Sequence, residues 1–235
     1  QIARLAGAPA GVPKRLTLGT RTVLLTSMVL IVAGALGIGV LEARHTMAAL
    51  SFREAIVMPL FTSVSARTAG FNTVDLGAFQ PATLLVTMVL MFIGGSPASC
   101  AGGIKTTTAA VIIAALVAEL RGREPELGGR ALPPETLRRA VAVTASGVLI
   151  VTAVLLLLCV TEVHGFLAVS FETVSAFATT GLSTGITPKM SDAGKLILAA
   201  AMFLGRVGPL TVALVVGHEL VRRPYALARE NLPVG

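Results

Sequence analysis

Apolar residues in this chain come in long runs, separated by glycine-rich or basic breaks. Residues 22–41 are almost wholly apolar. At about 1.5 Å per residue they are long enough to span a bilayer. Glu42-Ala43-Arg44-His45 closes this span, and His45 is read as a solvated loop histidine. Residues 52–66 form a shorter helical segment that stops at Thr68-Ala69-Gly70-Phe71-Asn72. Pro81, a good first-turn residue, opens the next run over 82–93. That run is interrupted by Gly94-Gly95-Ser96-Pro97-Ala98-Ser99-Cys100-Ala101-Gly102-Gly103 and resumes over 104–120. A helix cannot pass unbroken through that glycine and proline content. A hydrophilic connector, 121–138, then leads to a span at 139–161, a second short segment at 166–178 and a last span at 191–221.

The pattern repeats. Thr179-Thr180-Gly181-Leu182-Ser183 copies the first glycine turn at an offset of 111 residues. The same offset aligns Met91-Phe92-Ile93-Gly94 with Met202-Phe203-Leu204-Gly205. The repeated unit is a span, a short re-entrant segment with a glycine turn, and a second span, over 22–120 and again over 139–221. Irregular backbone inside a bilayer is tolerated only where it is buried in protein or lines a watery cavity. Two such turns at equivalent positions predict an all-α integral membrane protein with a pore. The register then shifts, because Glu119-Leu120 matches Glu219-Leu220 at an offset of 100. The first unit therefore carries about eleven extra residues at its helix break, opposite Gly205 and Arg206.

Composition supports the membrane reading. Of 235 residues, 54% are hydrophobic and 13% charged, about half the charged share of a soluble domain. The net charge of +7 does not point to nucleic acid, since the basic residues sit at the ends of apolar runs and aromatics make up 4%. Segments 1–21, 121–139 and 222–235 hold four, five and three Lys or Arg, whereas the opposite loops hold Arg44, Arg53, Lys189 and Lys195. Basic loops stay inside, so the terminal segments 1–21 and 222–235 and the connector are expected in the cytoplasm of a multi-pass plasma-membrane protein. Cys100 and Cys159 have no metal-ligand or disulfide spacing and are read as buried small hydrophobes. The chain starts at Gln1 with no charged n-region before its first span, so a piece of a longer protein without a signal peptide is expected.

A permeating cation needs its hydration shell replaced by oxygens, which a ring of backbone carbonyls can supply. Glycine permits the backbone angles, and a half-length helix ending there presents the attractive end of its dipole. Both copies contain these parts, although a glycine after a helix is also an ordinary C-cap. Several charges keep two readings each. Arg67 beside the turn reaches external water, and Lys105 snorkels toward the cytoplasm. Glu54 and Glu172 are either vestibule carboxylates or solvated helix starts.

The stretches Ser65-Ala66-Arg67-Thr68-Ala69-Gly70-Phe71-Asn72, Phe92-Ile93-Gly94-Gly95-Ser96-Pro97, Ala101-Gly102-Gly103-Ile104-Lys105-Thr106-Thr107, Gly181-Leu182-Ser183-Thr184-Gly185 and Phe203-Leu204-Gly205-Arg206-Val207-Gly208-Pro209 resemble the Trk/Ktr/HKT superfamily of cation transporters, most nearly its Ktr potassium-uptake membrane subunits. The resemblance covers nearly the whole chain and implies the third and fourth units of a potassium-channel-like four-repeat fold. It implies potassium uptake, usually sodium-dependent, through a filter of backbone carbonyls at Thr68, Ala69, Gly70 and Phe71 and at Thr179, Thr180, Gly181 and Leu182. A Trk-type transporter and a sodium-permeable relative remain open. K+ is then the substrate, with Na+ as coupling or activating ion and no covalent cofactor. It implies a homodimer of complete subunits, a cytosolic nucleotide-binding regulatory subunit of the KtrA type, and membrane lipids as surroundings. It also implies a gate below the filter, carried by Gly94, Gly95, Ser96, Pro97, Ser99, Gly102, Gly103, Lys105 and Arg206, with Arg206 holding the loop closed.

Two readings of other classes compete with a pore. Ser96, Ser99 and Cys100 lie in a bend at membrane depth and suit an intramembrane hydrolase, but a nucleophile needs a positioned base. His45 and His164 are expected outside and His218 near the cytoplasmic end. A structural assembly subunit explains the spans but not the repeated turns.

Overall fold

The computed structural model describes residues 16–48, 50–97 and 99–208. The terminal segments 1–15 and 222–235, and the last span beyond Gly208 with His218 and Pro209, lie outside the described residues. Among those described there are seven α-helices, α1 (Leu18–Glu42), α2 (Phe52–Ser65), α3 (Pro81–Phe92), α4 (Thr106–Leu120), α5 (Pro134–Thr161), α6 (Phe166–Phe177) and α7 (Asp192–Val207). The described residues are helical apart from loops, turns and a two-stranded hairpin.

Helices α1 and α5 have 25 and 28 residues and are long and apolar enough to cross a membrane. Both bury narrow stripes that include small residues. On α1 the stripe is Gly34, Ile38 and Glu42; on α5 it is Ala140, Gly147, Val154 and Leu158. Their other faces expose Leu25, Leu36, Val40, Leu149 and Val160. Apolar residues outward and small residues inward suit lipid on one side and close helix packing on the other. At Gly34 a Cβ would lie 2.4 Å from Ser63 Oγ and 2.6 Å from Leu90 Cδ1. Ser63 Oγ donates to the Ile31 carbonyl at 2.9 Å, tying α2 to α1.

Helices α2 and α6 have 14 and 12 residues, about 21 and 18 Å, and cannot cross. The sequence of α2 stops it on schedule, and Ser51 and Glu54 form a reciprocal capping box at its start. Helix α6 is nearly all buried, between α3, α5 and α7. Its polar residues stay satisfied in that setting, since Ser170 and Thr173 hydroxyls donate to the Phe166 and Val169 carbonyls, each at 2.7 Å. Phe171, Leu182, Met91, Leu76 and Ile38 share one core, which joins the two halves of the chain.

The 111-residue offset carries into the elements. The 3-10 turns Leu76–Ala78 and Thr187–Lys189 start 111 residues apart, and so do α3 and α7. The two inner helices then differ. Helix α7 runs unbroken to Val207, whereas α3 stops at Phe92. A parallel bridge joins Ile93 to Ile104, and Ile104 N donates to the Phe92 carbonyl at 3.1 Å. Residues 94–103 thus leave and return at one point, and α4 continues beyond.

Two expectations are corrected. The connector is shorter than 121–138, because α5 begins at Pro134 and takes in Arg138 and Arg139. Hydropathy marks where lipid starts, while Pro133-Pro134 marks where the helix starts. Inside the connector, Glu126–Leu127 pairs with Arg130–Ala131 across Gly128 and Gly129, whose φ values are 58° and 76°, the two positive φ values of a tight hairpin turn. Cys100 and Cys159 are exposed, one on the loop and one on the outer face of α5, rather than buried.

Candidate ion pathway

Each short helix ends in the same backbone device. After α2, Thr68 has φ 69° and Gly70 has φ 75°; after α6, Thr179 has φ 51° and Gly181 has φ 91°. A left-handed threonine is costly and persists only where its surroundings impose it. The helix ends do so. Ala69 and Gly70 N–H groups donate to the Ser65 carbonyl at 3.0 and 3.1 Å, and Thr180 N donates to the Ser175 carbonyl at 2.9 Å. Ser65 Oγ donates to the Phe71 carbonyl and Ser175 Oγ to the Leu182 carbonyl, both at 2.6 Å. The carbonyls of Phe71 and Leu182 therefore turn back toward their own helices. Among the described residues, no hydrogen bond reaches the carbonyls of Thr68, Ala69, Gly70, Thr179, Thr180 or Gly181. Carbonyls without a protein partner are free to serve a ligand.

The two turns lie against each other. A Cβ on Gly70 would sit 2.0 Å from the Thr180 carbonyl oxygen, while one on Gly181 would be 3.9 Å from Gly70 Cα. Only Gly70 is irreplaceable on space; both are required by φ. Phe71 is exposed and Leu182 buried.

Behind the turns the two halves diverge. Glu172 is 4% exposed and lies in the middle of α6. Oε1 accepts from Ser183 Oγ at 2.8 Å, Thr184 N at 2.9 Å and Thr184 Oγ1 at 3.1 Å, and Oε2 accepts from Thr187 Oγ1 at 2.7 Å. It is neither a helix start nor a vestibule carboxylate. The residue 111 positions earlier is Phe61. Arg67 does not reach external water. Its Nη1 donates to the Ser27 carbonyl of α1 at 3.2 Å and its Nη2 to the Gly94 carbonyl at 3.4 Å. Its counterpart is Ala178. Glu54 is exposed and held below the usual carboxylate range by the Ser51 hydroxyl and N–H, as a helix-start residue should be.

The excursion 94–103 packs beneath the second turn. Gly102 N donates to Thr179 Oγ1 at 3.0 Å, and a Cβ there would lie 2.7 Å from the Ala178 carbonyl. Gly94 backs onto the Gly102 carbonyl, and Gly95 onto Ala101 and Ser99. Gly103 takes φ 67° where the chain rejoins α4. Ser99 Oγ donates to the Ser96 carbonyl at 2.6 Å, and Pro97 is exposed. Lys105 Nζ donates to the Ala101 carbonyl, and Arg206 Nη1 to the Cys100 carbonyl. Three cations, Arg67, Lys105 and Arg206, thus hold this loop through its carbonyls. Among the described residues, no carboxylate pairs with them and no histidine bonds Ser96, Ser99 or Cys100.

Sequence reasoning missed a further symmetric pair. Glu42, fully buried, accepts from Gln80 N at 2.9 Å and from Thr46; Glu162 accepts from the Ser191 N–H and hydroxyl. Gln80 and Ser191 are the N-caps of α3 and α7, 111 residues apart. The glutamates are 120 apart because the loop after α5 is shorter. A glutamate closing each long span was the available signal.

Comparisons with known proteins point the same way. Residues 14–220 match the family described as "TrkH: Cation transport protein". The chain is 38% identical over 220 residues to Ktr system potassium uptake protein D of Bacillus subtilis, covering 93% of this chain and 49% of that protein. It is 39% identical over 197 residues to Ktr system potassium uptake protein B of Vibrio alginolyticus, covering 83% and 43%. It is 32% identical over 230 residues to the potassium/sodium uptake protein NtpJ of Enterococcus hirae, covering 94% and 51%. The chain spans about half the length of the curated relatives it matches. The fold is similar to the crystal structure of the potassium transporter TrkH from Vibrio parahaemolyticus, with a TM-score of 0.66 at 21% identity over 83% of this chain and 43% of that one. The match over most of its length shows that this chain belongs to the TrkH family of cation transport proteins.

Proposed function

We propose that the chain supplies two of the four sides of a potassium-uptake pore, with residues 22–120 and 139–221 as its third and fourth repeats. The observation that carries this is the pair of abutting turns, Thr68 to Gly70 and Thr179 to Gly181, whose carbonyls are left unpaired at the ends of two half-length helices. A cation entering between such turns exchanges water for carbonyl oxygens, and the negative ends of α2 and α6 favour it there. Relatives about twice as long, named as potassium uptake proteins, support a filter completed by two further repeats. The basic segments support cytoplasmic ends and a cytoplasmic connector. A Ktr-type transporter would work as a dimer with a nucleotide-binding regulatory subunit, and the name of the NtpJ relative favours Na+ as a second permeant or coupling ion.

The loop 94–103 then serves as the gate below the filter. Its small residues let it move, and Arg206 and Lys105 both hold it by hydrogen bonds and repel a cation from below. The filter is tested by Gly181→Ser, where space exists but the backbone angle is left-handed, alongside Gly70→Ser, where it does not. In the complete protein, reconstituted in liposomes, K+ preference over Na+ is expected to fall about tenfold in Gly181→Ser and further in Gly70→Ser, in protein that still inserts and elutes like the parent. Unchanged relative uptake in both variants refutes the filter.

A further inference from the structure

The fourth-repeat turn is backed by a carboxylate that pairs with no cation among the described residues. Among the described residues the ion pairs are His45 with Glu42 and Lys195 with Asp192, so Glu172 has none. A buried carboxylate survives without a cation only when donors saturate it. Glu172 has four such donors, and all lie in one segment, residues 183–187, which begins two residues after Gly181. Ser175, one turn along α6, fixes the Leu182 carbonyl of the same segment. The Ser183 hydroxyl in turn accepts from Gly185 N at 2.9 Å, where φ is 88°. Glu172 and Ser175 therefore dictate the path of the chain as it leaves the turn. Thr184 is the key position, because its carbonyl would sit 2.9 Å from a Cβ on Gly77 of the other half. Whatever places Thr184 also places the 3-10 turn Leu76–Ala78 against it.

The third-repeat turn lacks this arrangement. Phe61 stands where Glu172 stands, and the nearby carboxylate, Asp75, caps its own turn by accepting from Gly77 N at 2.9 Å. The asymmetry gives the anion a role that generic packing does not require. Its charge is shielded by hydrogen bonds but not cancelled, and a net negative potential in a low-dielectric wall acts over several ångströms.

We propose that Glu172 is a specificity-determining residue of the pore, holding residues 182–187 behind the fourth-repeat turn and lending that turn a fixed negative potential. The inference rests on the filter reading above. It is tested in the complete protein in liposomes with Glu172→Gln, which keeps the shape and removes the charge, and with Thr187→Val, which keeps the charge and removes one donor. In Glu172→Gln the half-saturating K+ concentration is expected to rise about tenfold, with a parallel fall in K+ over Na+ preference, while the maximal rate changes less. In Thr187→Val both are expected to shift about twofold. A purely structural role would lower the amount of folded protein and leave the ion preference of the surviving fraction unchanged. An unchanged K+ affinity and preference in Glu172→Gln overturns the proposal; if that variant is not recovered folded, the same result in Thr187→Val overturns it. Gly181→Ser measured in parallel separates the two failures. Its altered selectivity beside an inert Glu172→Gln sinks only this inference, whereas an inert Gly181→Ser together with an inert Gly70→Ser sinks the filter itself.

Discussion

The two halves of the chain share a backbone and differ in the charged residue set behind each turn. Both place a left-handed threonine and a left-handed glycine after a half-length helix, and both tie the chain back with a serine hydroxyl. Behind the first turn stands Arg67, with Phe61 further back; behind the second stands Glu172, with Ala178 in the place of the arginine. Duplication preserves what backbone geometry needs, since φ and hydrogen bonding allow little choice. Side chains facing away from the pore axis are free to differentiate. Arg67 reaches the loop of the broken helix, whereas Glu172 holds the segment that follows the second turn.

The largest effect is expected where the inner helices meet the rest. Gly94 and Gly205 are counterparts, but a Cβ on Gly205 would lie 1.8 Å from the Phe177 carbonyl of α6, while one on Gly94 would lie 2.0 Å from the Gly102 carbonyl of its own loop. Helix α6 is fully buried around Phe177 and cannot give way there. Gly205→Ala should destabilise the detergent-solubilised protein by about 3 kcal/mol, the upper end of overpacking costs, and Gly94→Ala by about 1 kcal/mol. Thermal unfolding read by fluorescence distinguishes them, and equal losses would contradict the rigid-against-mobile contrast.

An intermediate effect separates the loop cations. Arg206→Ala, or shortening the loop between Ser96 and Ala101, should raise K+ flux in liposomes without a regulatory subunit by about tenfold, because the loop loses a charge-assisted bond. Arg67→Met should raise it only about threefold, as its bond to Gly94 holds the anchored end of the loop rather than its tip. If none of these variants leaks more than the parent, the loop is not a gate.

The smallest effect concerns acid. Glu162 is held below the usual carboxylate range, first by the Ser191 hydroxyl. A depressed folded value means that the stabilisation is fully present above the unfolded value of about 4.3 and is lost as pH falls through the lower folded one. Glu162→Gln should therefore lower the unfolding temperature slightly at pH 5 to 7, and the gap to the parent should close toward pH 3. A gap that widens on acidification would show the sign to be wrong.

Spans, half-helices and turns were legible in the residues because each has a local cause: length of apolar run, capping residue, glycine at a left-handed angle. The start of α5 and the Gly128-Gly129 hairpin were not, because hydropathy reports lipid contact rather than hydrogen bonding. The carboxylates at Glu42, Glu162 and Glu172 and the guanidinium of Arg67 escaped for a different reason. Apart from Thr46 beside Glu42, their partners lie 11 to 40 residues away, on other elements whose position depends on how the helices pack. A charge near a membrane span could be recognised as needing a partner, but the partner's name had to come from the fold.

The hydrogen bond from Gly102 to Thr179 joins the loop to the turn that is proposed to hold the ion. A bond shared by two sites makes them thermodynamically reciprocal. An ion that shifts Thr179 when it settles changes how firmly the loop is held, and a displaced loop alters the affinity of the site by the same free energy. External K+ would then act on the protein twice, as cargo and as effector, and the pore would sense its own occupancy without a separate receptor.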